Sequence, residues 1–199
     1  MHYKMRLLEL FSGSGSIGKE FRGDVVSVDI EGDPTHKVDI LEWGYKEYPP
    51  TYFDMIWASP PCVQYSIART KAFKPRDLVG AAKLVHCALN IIEYFQPRFW
   101  FVENPWTGML RKRDVISLLS TPTSFLLQVR FPLPENTAIW TNAEVELEYC
   151  KKDRDAMIGK RHECTAQRGG DKYSIGFPQC VLYTIPPRLC REICSVVNG

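Results

Sequence analysis

The 199-residue sequence has no long apolar run, no internal repeat and no low-complexity tract. None of its apolar runs approaches the roughly 18–20 residues of a membrane helix, so we expect no membrane-spanning segment. The N-terminal residues run directly into a strand-like segment and show no separate apolar region with a small-residue cleavage site. We therefore expect an intracellular protein, cytoplasmic or nuclear, and located in the host cell if the source is a virus.

A disulfide framework is also missing, because the seven cysteines are odd in number and irregularly spaced. We expect reduced thiols, and three of them are predicted to be small core residues on helices: Cys87, Cys190 and Cys194. A zinc site is a weaker alternative, since its candidate ligands lack a C-x-x-C pair. Those candidates are Cys150, His162, Cys164 and Cys180. We favour unlinked cysteines and no metal.

The chain has little net charge, +2, but the charge is unevenly distributed. Residues 1–60 carry six basic and ten acidic side chains, whereas residues 61–199 carry 19 and 13. A polyanion would therefore meet the later part of the chain. On charge alone, a solvated basic face is an equal alternative.

An apolar content of 45% and a charged content of 24% are ordinary for a globular protein, and the length suits one domain over residues 1–199. Apolar runs alternate with helical patterns, which predicts an α/β fold with a mostly parallel sheet covered on both faces. The predicted strands are residues 6–10, 25–30, 37–40, 53–58 and 99–102. The predicted helices start at about residue 16 and cover 78–95 and 187–197. Residues 142–178 are polar and basic, which predicts a small irregular insertion.

Polar and reactive residues follow the predicted strands at the points where these end. They comprise residues 11–18, Asp29, Asp39, residues 59–62 and residues 103–105. Because ligands of open α/β sheets bind at the carboxyl ends of the strands, we expect these residues to form one site.

The first of these segments has the pattern G-x-G-x-x-G at Gly13, Gly15 and Gly18, between a predicted strand and helix. Glycines let the backbone approach a ligand, and free N–H groups at a helix start favour phosphate-like or nucleotide-like groups. Asp29 is placed to accept hydrogen bonds from ribose hydroxyls. The pattern predicts a nucleotide-like cofactor without choosing between a dinucleotide and S-adenosylmethionine, and a purely structural turn is the alternative.

Cys62 follows two prolines in the sequence SPPC, and Glu103 begins the sequence ENP. The proline rings restrict the backbone before the cysteine, and local dipoles in a following helical turn would favour the thiolate. A lone buried cysteine is normally inert. A thiol and a carboxylate at neighbouring strand ends, beside a nucleotide-type cofactor, instead favour covalent catalysis.

Five segments then follow one another as in a known family: LLELFSGSGSIGKEF, VVSVDIEGD, HKVDILEW, FDMIWASPPCVQYS and FVENP. In this order they resemble the motifs of the cytosine-5 DNA methyltransferase family over roughly residues 5–110, and PPC followed by ENP is the selective element. The tail QCVLYTIPPRLCREIC is similar to the C-terminal segment of small phage and viral members.

The resemblance implies a Rossmann-like, class I fold and transfer of a methyl group from S-adenosylmethionine to carbon 5 of a flipped-out cytosine in double-stranded DNA. It implies Cys62 as nucleophile and Glu103 as the carboxylate that contacts the base. The implied cofactor-binding residues are Phe11, Ser12, Gly13, Gly15, Gly18, Asp29, Ile30, Asp39, Ile40 and Pro60. The implied substrate-binding residues are Ser59, Pro61, Gln64, Ser66, Asn104, Pro105, Arg69 and Arg168. Trp43 and Trp57 either stack on the cofactor or belong to the core.

One family element is missing from the sequence. Small viral-type members are expected to carry a basic run just before an IWTN-like sequence, but FPLPENT precedes residues 139–142 here. Either Arg130 or Arg168 substitutes, or the enzyme is slow, inactive or altered in its substrate. The insertion leaves room for only a small recognition element, so we expect a short recognition site.

Three other possibilities stay open at this stage. One branch of the family methylates transfer RNA with the same motifs, and a catalytically impaired relative would only bind DNA or a partner. An NAD-dependent dehydrogenase ranks last, because its chemistry does not require PPC and ENP together. No coiled-coil pattern or large apolar stripe indicates an obligate dimer, so we expect a monomer.

Overall fold

A computed structural model gives the fold. It describes residues 3–67, 74–117, 125–130, 136–145, 157–158, 161–162, 164–165, 175–176 and 184–198.

Seven strands form one mixed sheet in the order β3-β2-β1-β4-β5-β7-β6. The first five pair in parallel, while β7 is antiparallel to both of its neighbours. The strands are β1 Arg6–Leu10, β2 Asp24–Asp29, β3 His36–Lys37, β4 Met55–Ala58, β5 Phe99–Pro105, β6 Phe125–Arg130 and β7 Asn136–Thr141. Short 3₁₀ turns cover Tyr45–Glu47 and Leu110–Lys112. The α/β prediction with a mostly parallel sheet is confirmed.

Helix α1, Leu78–Phe95, has the predicted bounds and covers one face of the sheet. Asp77 caps its N-terminus by accepting a hydrogen bond from the Gly80 N–H at 2.7 Å, and Gln96 ends it in the left-handed conformation before Pro97. Its buried side chains are Ala81, Val85, Ala88, Ile91, Ile92 and Phe95. By length and composition alone, α1 is the one helix among the described residues that could cross a membrane. Its buried stripe indicates a core helix of this sheet.

The other face packs against helix α3, Pro187–Asn198, which follows the short helix α2, Asp114–Ser117. The buried side chains of α3 are Leu189, Cys190, Ile193, Cys194 and Val197, and they contact a core that includes Leu7, Trp57, Phe101 and Ile139. Burial raises the pKa of the Cys190 thiol to about 12 and that of the Cys194 thiol to about 11. Both thiols therefore stay protonated at neutral pH, as expected for cysteines that fill the core.

The helix predicted from about residue 16 is wrong. Residues 13–20 instead form successive hydrogen-bonded turns, with the Lys19 N–H donating to the Gly15 carbonyl at 3.1 Å. The Glu20 and Phe21 N–H groups both donate to the Ile17 carbonyl at 3.0 Å, so bonds of three-residue and four-residue spacing mix instead of forming a continuous α-helical ladder. Gly13 and Gly15, with left-handed backbones, precede this stretch, and Glu9 accepts from the N–H groups of Ile17 and Gly18.

The predicted insertion at 142–178 starts directly after β7. Its described parts are residues 142–145 and two small strand pairs, an antiparallel one and a parallel one. The antiparallel pair joins β8 Met157–Ile158 to β9 Arg161–His162, and the parallel pair joins β10 Cys164–Thr165 to β11 Ile175–Gly176. Cys150 and Cys180, two of the four zinc candidates, lie outside the described residues. Within the described ranges, no group of three or more histidine, cysteine or acidic side chains could hold a metal ion.

Candidate active site at the carboxyl edge of the sheet

Hydrogen bonds join the loops that follow β1 and β2. The Ser12 N–H donates to the Val28 carbonyl at 3.3 Å, and the Gly13 N–H donates to Asp29 Oδ2 at 2.8 Å. Asp29 Oδ1 accepts a second bond, from the Glu31 N–H at 2.9 Å. The carboxylate predicted to contact ribose therefore also fixes the glycine-rich turn, and its oxygens keep lone pairs for a further donor.

The glycine-rich turn leaves space beside its backbone. Phe11, Gly13 and Gly15 all have positive φ, at 55°, 50° and 67°. A Cβ added at Gly15 would meet nothing within 4 Å, and one at Gly13 would meet only the Phe11 carbonyl, at 4.0 Å. The backbone of this turn therefore presents an open surface to which a ligand can approach closely.

Glu9 lies beneath the turn, and it was not among the predicted site residues. Its side chain is only 2% exposed and accepts hydrogen bonds from the N–H groups of Ile17 at 3.1 Å and Gly18 at 3.2 Å. Burial raises the pKa of its carboxyl to about 7, against the lowering effect of these two bonds. The available signal was a charged residue inside the buried strand RLLEL, directly before the glycines.

The loops after β2 and β3 present apolar side chains beside carboxylates. Ile30, directly after Asp29, is 62% exposed, and Leu41 is 50% exposed. Asp39 Oδ1 accepts a hydrogen bond from the Leu41 N–H at 2.9 Å. Ile40, by contrast, has its side chain in the core, so only its backbone can take the cofactor-binding role predicted for it.

The loop after β4 carries the SPPC sequence and is joined to its neighbours on both sides. The Ser59 N–H donates to the Leu10 carbonyl at 3.2 Å, and the Ser59 hydroxyl accepts from the Trp57 indole at 2.8 Å. Asn104 Nδ2 donates to the Pro60 carbonyl at 2.8 Å. Pro60 is buried, Pro61 is exposed and Cys62 is half-buried, so Cys62 is partly accessible on a loop that these hydrogen bonds hold.

The residues after Cys62 form a turn that contacts the start of α1. The Tyr65 N–H donates to the Cys62 carbonyl at 2.9 Å. Gln64 binds through both its backbone and its side chain. Its carbonyl accepts from Arg76 at 2.7 Å, and its Oε1 accepts from the Asp77 N–H at 3.0 Å. Gln64 therefore has a structural role in addition to the predicted substrate contact, and Arg76 contacts this loop.

Glu103 is the fifth residue of β5, and Asn104 and Pro105 end the strand. Its half-buried carboxylate accepts a hydrogen bond at Oε1 from the hydroxyl of Thr137 on β7. Asn104 is 1% exposed, and its Oδ1 has no partner among the described residues, while its Nδ2 holds the Cys62 loop. The strand thus positions the predicted carboxylate and fixes the neighbouring loop through consecutive residues.

Some predicted site residues lie elsewhere or outside the described residues. Arg69 and Arg168 belong to the latter group. Arg130 ends β6 opposite Asn136, and β7 separates it from β5. Trp43 and Trp57 are buried at 8% and 1% exposure, and the ring of Trp57 stacks on Phe101 with centroids 5.7 Å apart. Both tryptophans belong to the core. Ser66, half-buried, lies near the end of the described part of the Cys62 loop.

A sheet of this order, with a glycine-rich turn, three carboxylates and a cysteine at one edge, is typical of α/β enzymes that bind a nucleotide-like cofactor. A solved structure of the Entamoeba histolytica methyltransferase EhMeth is similar to 81% of this chain, with a TM-score of 0.55 and 15% identity, and the chain spans 62% of its length. A solved structure of a candidate DNA modification methyltransferase from an E. coli prophage is similar to 69% of this chain, with a TM-score of 0.49 and 17% identity, and the aligned part covers 46% of that protein's chain. At these identities, the EhMeth likeness supports the fold alone.

Two sequence comparisons are more specific. The sequence model of the family "C-5 cytosine-specific DNA methylase" matches residues 30–117. The protein of Frog virus 3 (isolate Goorha) named "Probable DNA (cytosine-5)-methyltransferase" is 31% identical over 212 residues, which cover 95% of this chain and 98% of that protein. The chain belongs to the cytosine-5 DNA methyltransferase family. Its reaction class is transfer of a methyl group from a methyl donor to carbon 5 of cytosine in DNA.

Proposed function

We propose that the chain transfers a methyl group from S-adenosylmethionine to carbon 5 of a flipped-out cytosine in DNA, through a covalent bond between Cys62 and the base. The observation that carries this proposal is the 2.8 Å hydrogen bond from Asn104 to the Pro60 carbonyl. It joins the loop of the thiol to the strand of Glu103, at the sheet edge that also holds the glycine-rich turn.

The residues at this edge fit S-adenosylmethionine. The open backbone at Gly13 and Gly15 suits the methionine part, and Asp29 suits the ribose hydroxyls. The exposed side chain of Ile30 offers an apolar surface for one face of adenine, and Asp39 offers an acceptor for its amino group. The cofactor site would be completed by Phe11, Ser12, Gly18, Pro60 and the Ile40 backbone. When bound there, S-adenosylmethionine supplies an electrophilic methyl group on a sulfonium.

Cys62 would act as the nucleophile. Carbon 5 of cytosine is too weakly nucleophilic to accept a methyl group unaided, and attack of a thiolate at carbon 6 turns the ring into an enamine-like nucleophile. After carbon 5 is methylated, a base removes the carbon-5 proton and the Cys62 thiolate is eliminated. The half-buried position of Cys62, on a loop hydrogen-bonded to β1 and β5, suits repeated attack and release.

Glu103 would contact the edge of the base. Its carboxyl group, in the protonated form, would donate a hydrogen bond to ring nitrogen 3 and accept one from the exocyclic amine, and the proton shared with nitrogen 3 would offset the negative charge that develops on the ring when the thiolate attacks. Because the ring face is inaccessible inside a duplex, the target nucleotide must leave the stack. The other proposed substrate contacts are the ones that the resemblance implies: Ser59, Pro61, Gln64, Ser66, Asn104, Pro105, Arg69 and Arg168.

Residues 142–178 are proposed to contact DNA and to read a short site as part of a single 1–199 domain. Basic residues of this kind bind mainly phosphate, which positions a protein without specifying sequence. Recovery of a recognition sequence longer than about four base pairs from methylated DNA would contradict this part of the proposal. A monomeric state and a cytoplasmic or nuclear location likewise stay predictions.

The proposal is tested by incubating the full chain with S-adenosylmethionine labelled in the methyl group and three separate acceptors: duplex DNA, single-stranded DNA and transfer RNA. Digestion of the product to nucleosides and mass spectrometry identify the methylated base. We expect labelled 5-methylcytosine from duplex DNA, with none from Cys62→Ser protein. Label only in transfer RNA would replace DNA by RNA as substrate. Cofactor binding by calorimetry without transfer to any acceptor would overturn the enzymatic proposal and favour an impaired, DNA-binding relative.

A further inference from the structure

Thr137 is the last residue of the segment FPLPENT, where the sequence lacks the expected basic run. It lies on β7, the strand that pairs with β5. In the antiparallel register Glu103 faces Ile139, and Pro105 faces Thr137. Side chains two residues apart on one strand share a face, so Thr137 is the diagonal neighbour of Glu103 on the same side of the sheet. The register alone therefore brings the hydroxyl beside the carboxylate.

The Thr137 hydroxyl has two acceptors and one proton. It donates to Glu103 Oε1, and it lies 3.0 Å from the Asn104 carbonyl oxygen. A carboxylate is a stronger acceptor than a carbonyl, so the Thr137 hydroxyl directs its proton to Glu103 Oε1 while Glu103 is ionised. Because Thr137 is 6% exposed, water has little access to replace this bond.

We infer that Thr137 is a positioning residue for Glu103: its hydroxyl fixes the rotamer in which the carboxylate faces the edge of the target cytosine. This inference rests on the proposed function, in which Glu103 contacts the base. A hydroxyl orients the carboxylate without bringing a charge of its own. The chain thus has a neutral donor, Thr137, in the segment where the family resemblance predicts a basic run.

The test compares Thr137→Val, which keeps the shape but removes the donor, with Thr137→Ser, which keeps the hydroxyl. Thr141→Val is the matched control, since Thr141 is a fully buried threonine on the same strand whose hydroxyl accepts from the Ala143 N–H, away from Glu103. Single-turnover methylation of duplex DNA gives the rate of the chemical step, and DNA titration gives KM. Thermal unfolding of each variant monitors folding.

A hydrogen bond to a charged group typically changes an equilibrium or a rate by about tenfold or more. We expect Thr137→Val to lower the single-turnover rate by about tenfold with little change in KM for DNA, because the carboxylate acts after the base is bound. Thr137→Ser should restore the rate to within about twofold of the original, and Thr141→Val should stay within the same limit.

A double-mutant cycle separates positioning from general stability. In a Glu103→Gln background the Thr137→Val substitution should cause little further loss, because the group through which Thr137 acts has already been changed. An equal loss in both backgrounds, or a Thr137→Val rate equal to the original, would overturn the inference. Glu103→Gln leaving the rate unchanged would instead contradict the proposed role of Glu103 itself, so the two failures are distinguishable.

Discussion

Replacing Glu9 by glutamine should change how the stability of the protein depends on pH. The carboxyl is 2% exposed, and burial raises its pKa from an ordinary 4.5 to about 7. A folded-state pKa above the unfolded-state value means that the folded protein binds the proton more tightly. The stabilising contribution of Glu9 to the free energy of unfolding is therefore fully present below about pH 4.5, and it is lost as the pH rises through about 7.

The size of this loss follows from the two pKa values. At about 1.4 kcal/mol per pH unit, the rise to about 7 corresponds to roughly 3 kcal/mol of unfolding free energy between pH 5 and pH 8, to order of magnitude. Glutamine cannot ionise, so it lacks this dependence. At pH 5 the folded Glu9 carboxyl is protonated, and the amide replaces its hydroxyl oxygen by an NH2 group that cannot accept from the Ile17 or Gly18 N–H, which costs about 1–3 kcal/mol.

Urea unfolding of both proteins at pH 5 and pH 8 measures the difference directly. We expect Glu9→Gln to be clearly less stable than the original protein at pH 5, with the gap narrowing by about 2–3 kcal/mol at pH 8. Taking the difference between the proteins cancels every titrating group that does not interact with Glu9. A gap that is the same at both pH values, or one that widens as the pH rises, would refute the reasoning.

Three further predictions concern the same edge of the sheet. Gly18→Ala would place a Cβ 2.8 Å from the buried carboxylate below the turn, so it should lower the unfolding free energy by about 1–3 kcal/mol; an unchanged urea midpoint would show that the turn relaxes freely. Asn104→Ala removes the bond to the Pro60 carbonyl and should slow single-turnover methylation several-fold or more; an unchanged rate would exclude a role for this bond in holding the Cys62 loop. Neutralising the exposed basic residues 111–113 should make DNA affinity less dependent on salt: the slope of log affinity against log salt concentration should fall by about 0.9 for each lost phosphate contact. Lys4→Ala, at the opposite edge of the sheet, should leave this slope unchanged. An unaltered slope after neutralisation of residues 111–113 would assign those residues to a solvated surface.

The sheet and the polar residues at its carboxyl edge were predictable because four of the five parallel strands are short apolar runs followed at once by polar residues; β3, predicted at 37–40, is only His36–Lys37. β1 and α1 agree with the sequence in both bounds. β5 is longer than the predicted 99–102, since Glu103, Asn104 and Pro105 continue to pair with β7. Pairing with a distant strand depends on tertiary contacts, and the local apolar pattern does not contain it.

The side-chain network of the site was less predictable. The glycine pattern indicated a turn but also a helix, and residues 13–20 form turns that the side chain of Glu9 holds through the N–H groups of Ile17 and Gly18. The contact between Thr137 and Glu103 was not predictable, because it depends on the register between β5 and β7. Register is set by packing across the whole sheet, so a single threonine carries no local signal of its role.

The most direct test of the central claim is covalent trapping on duplex DNA that contains 5-fluorocytosine, with S-adenosylmethionine present. Fluorine replaces the proton that must leave carbon 5, so the final elimination is blocked and the enzyme stays bonded to carbon 6. We predict an adduct that survives denaturing electrophoresis, forms with the original protein and is absent with Cys62→Ala, and peptide mass spectrometry should place it on Cys62. An adduct that persists in Cys62→Ala, or the absence of any adduct from protein that methylates unsubstituted DNA, would contradict the account.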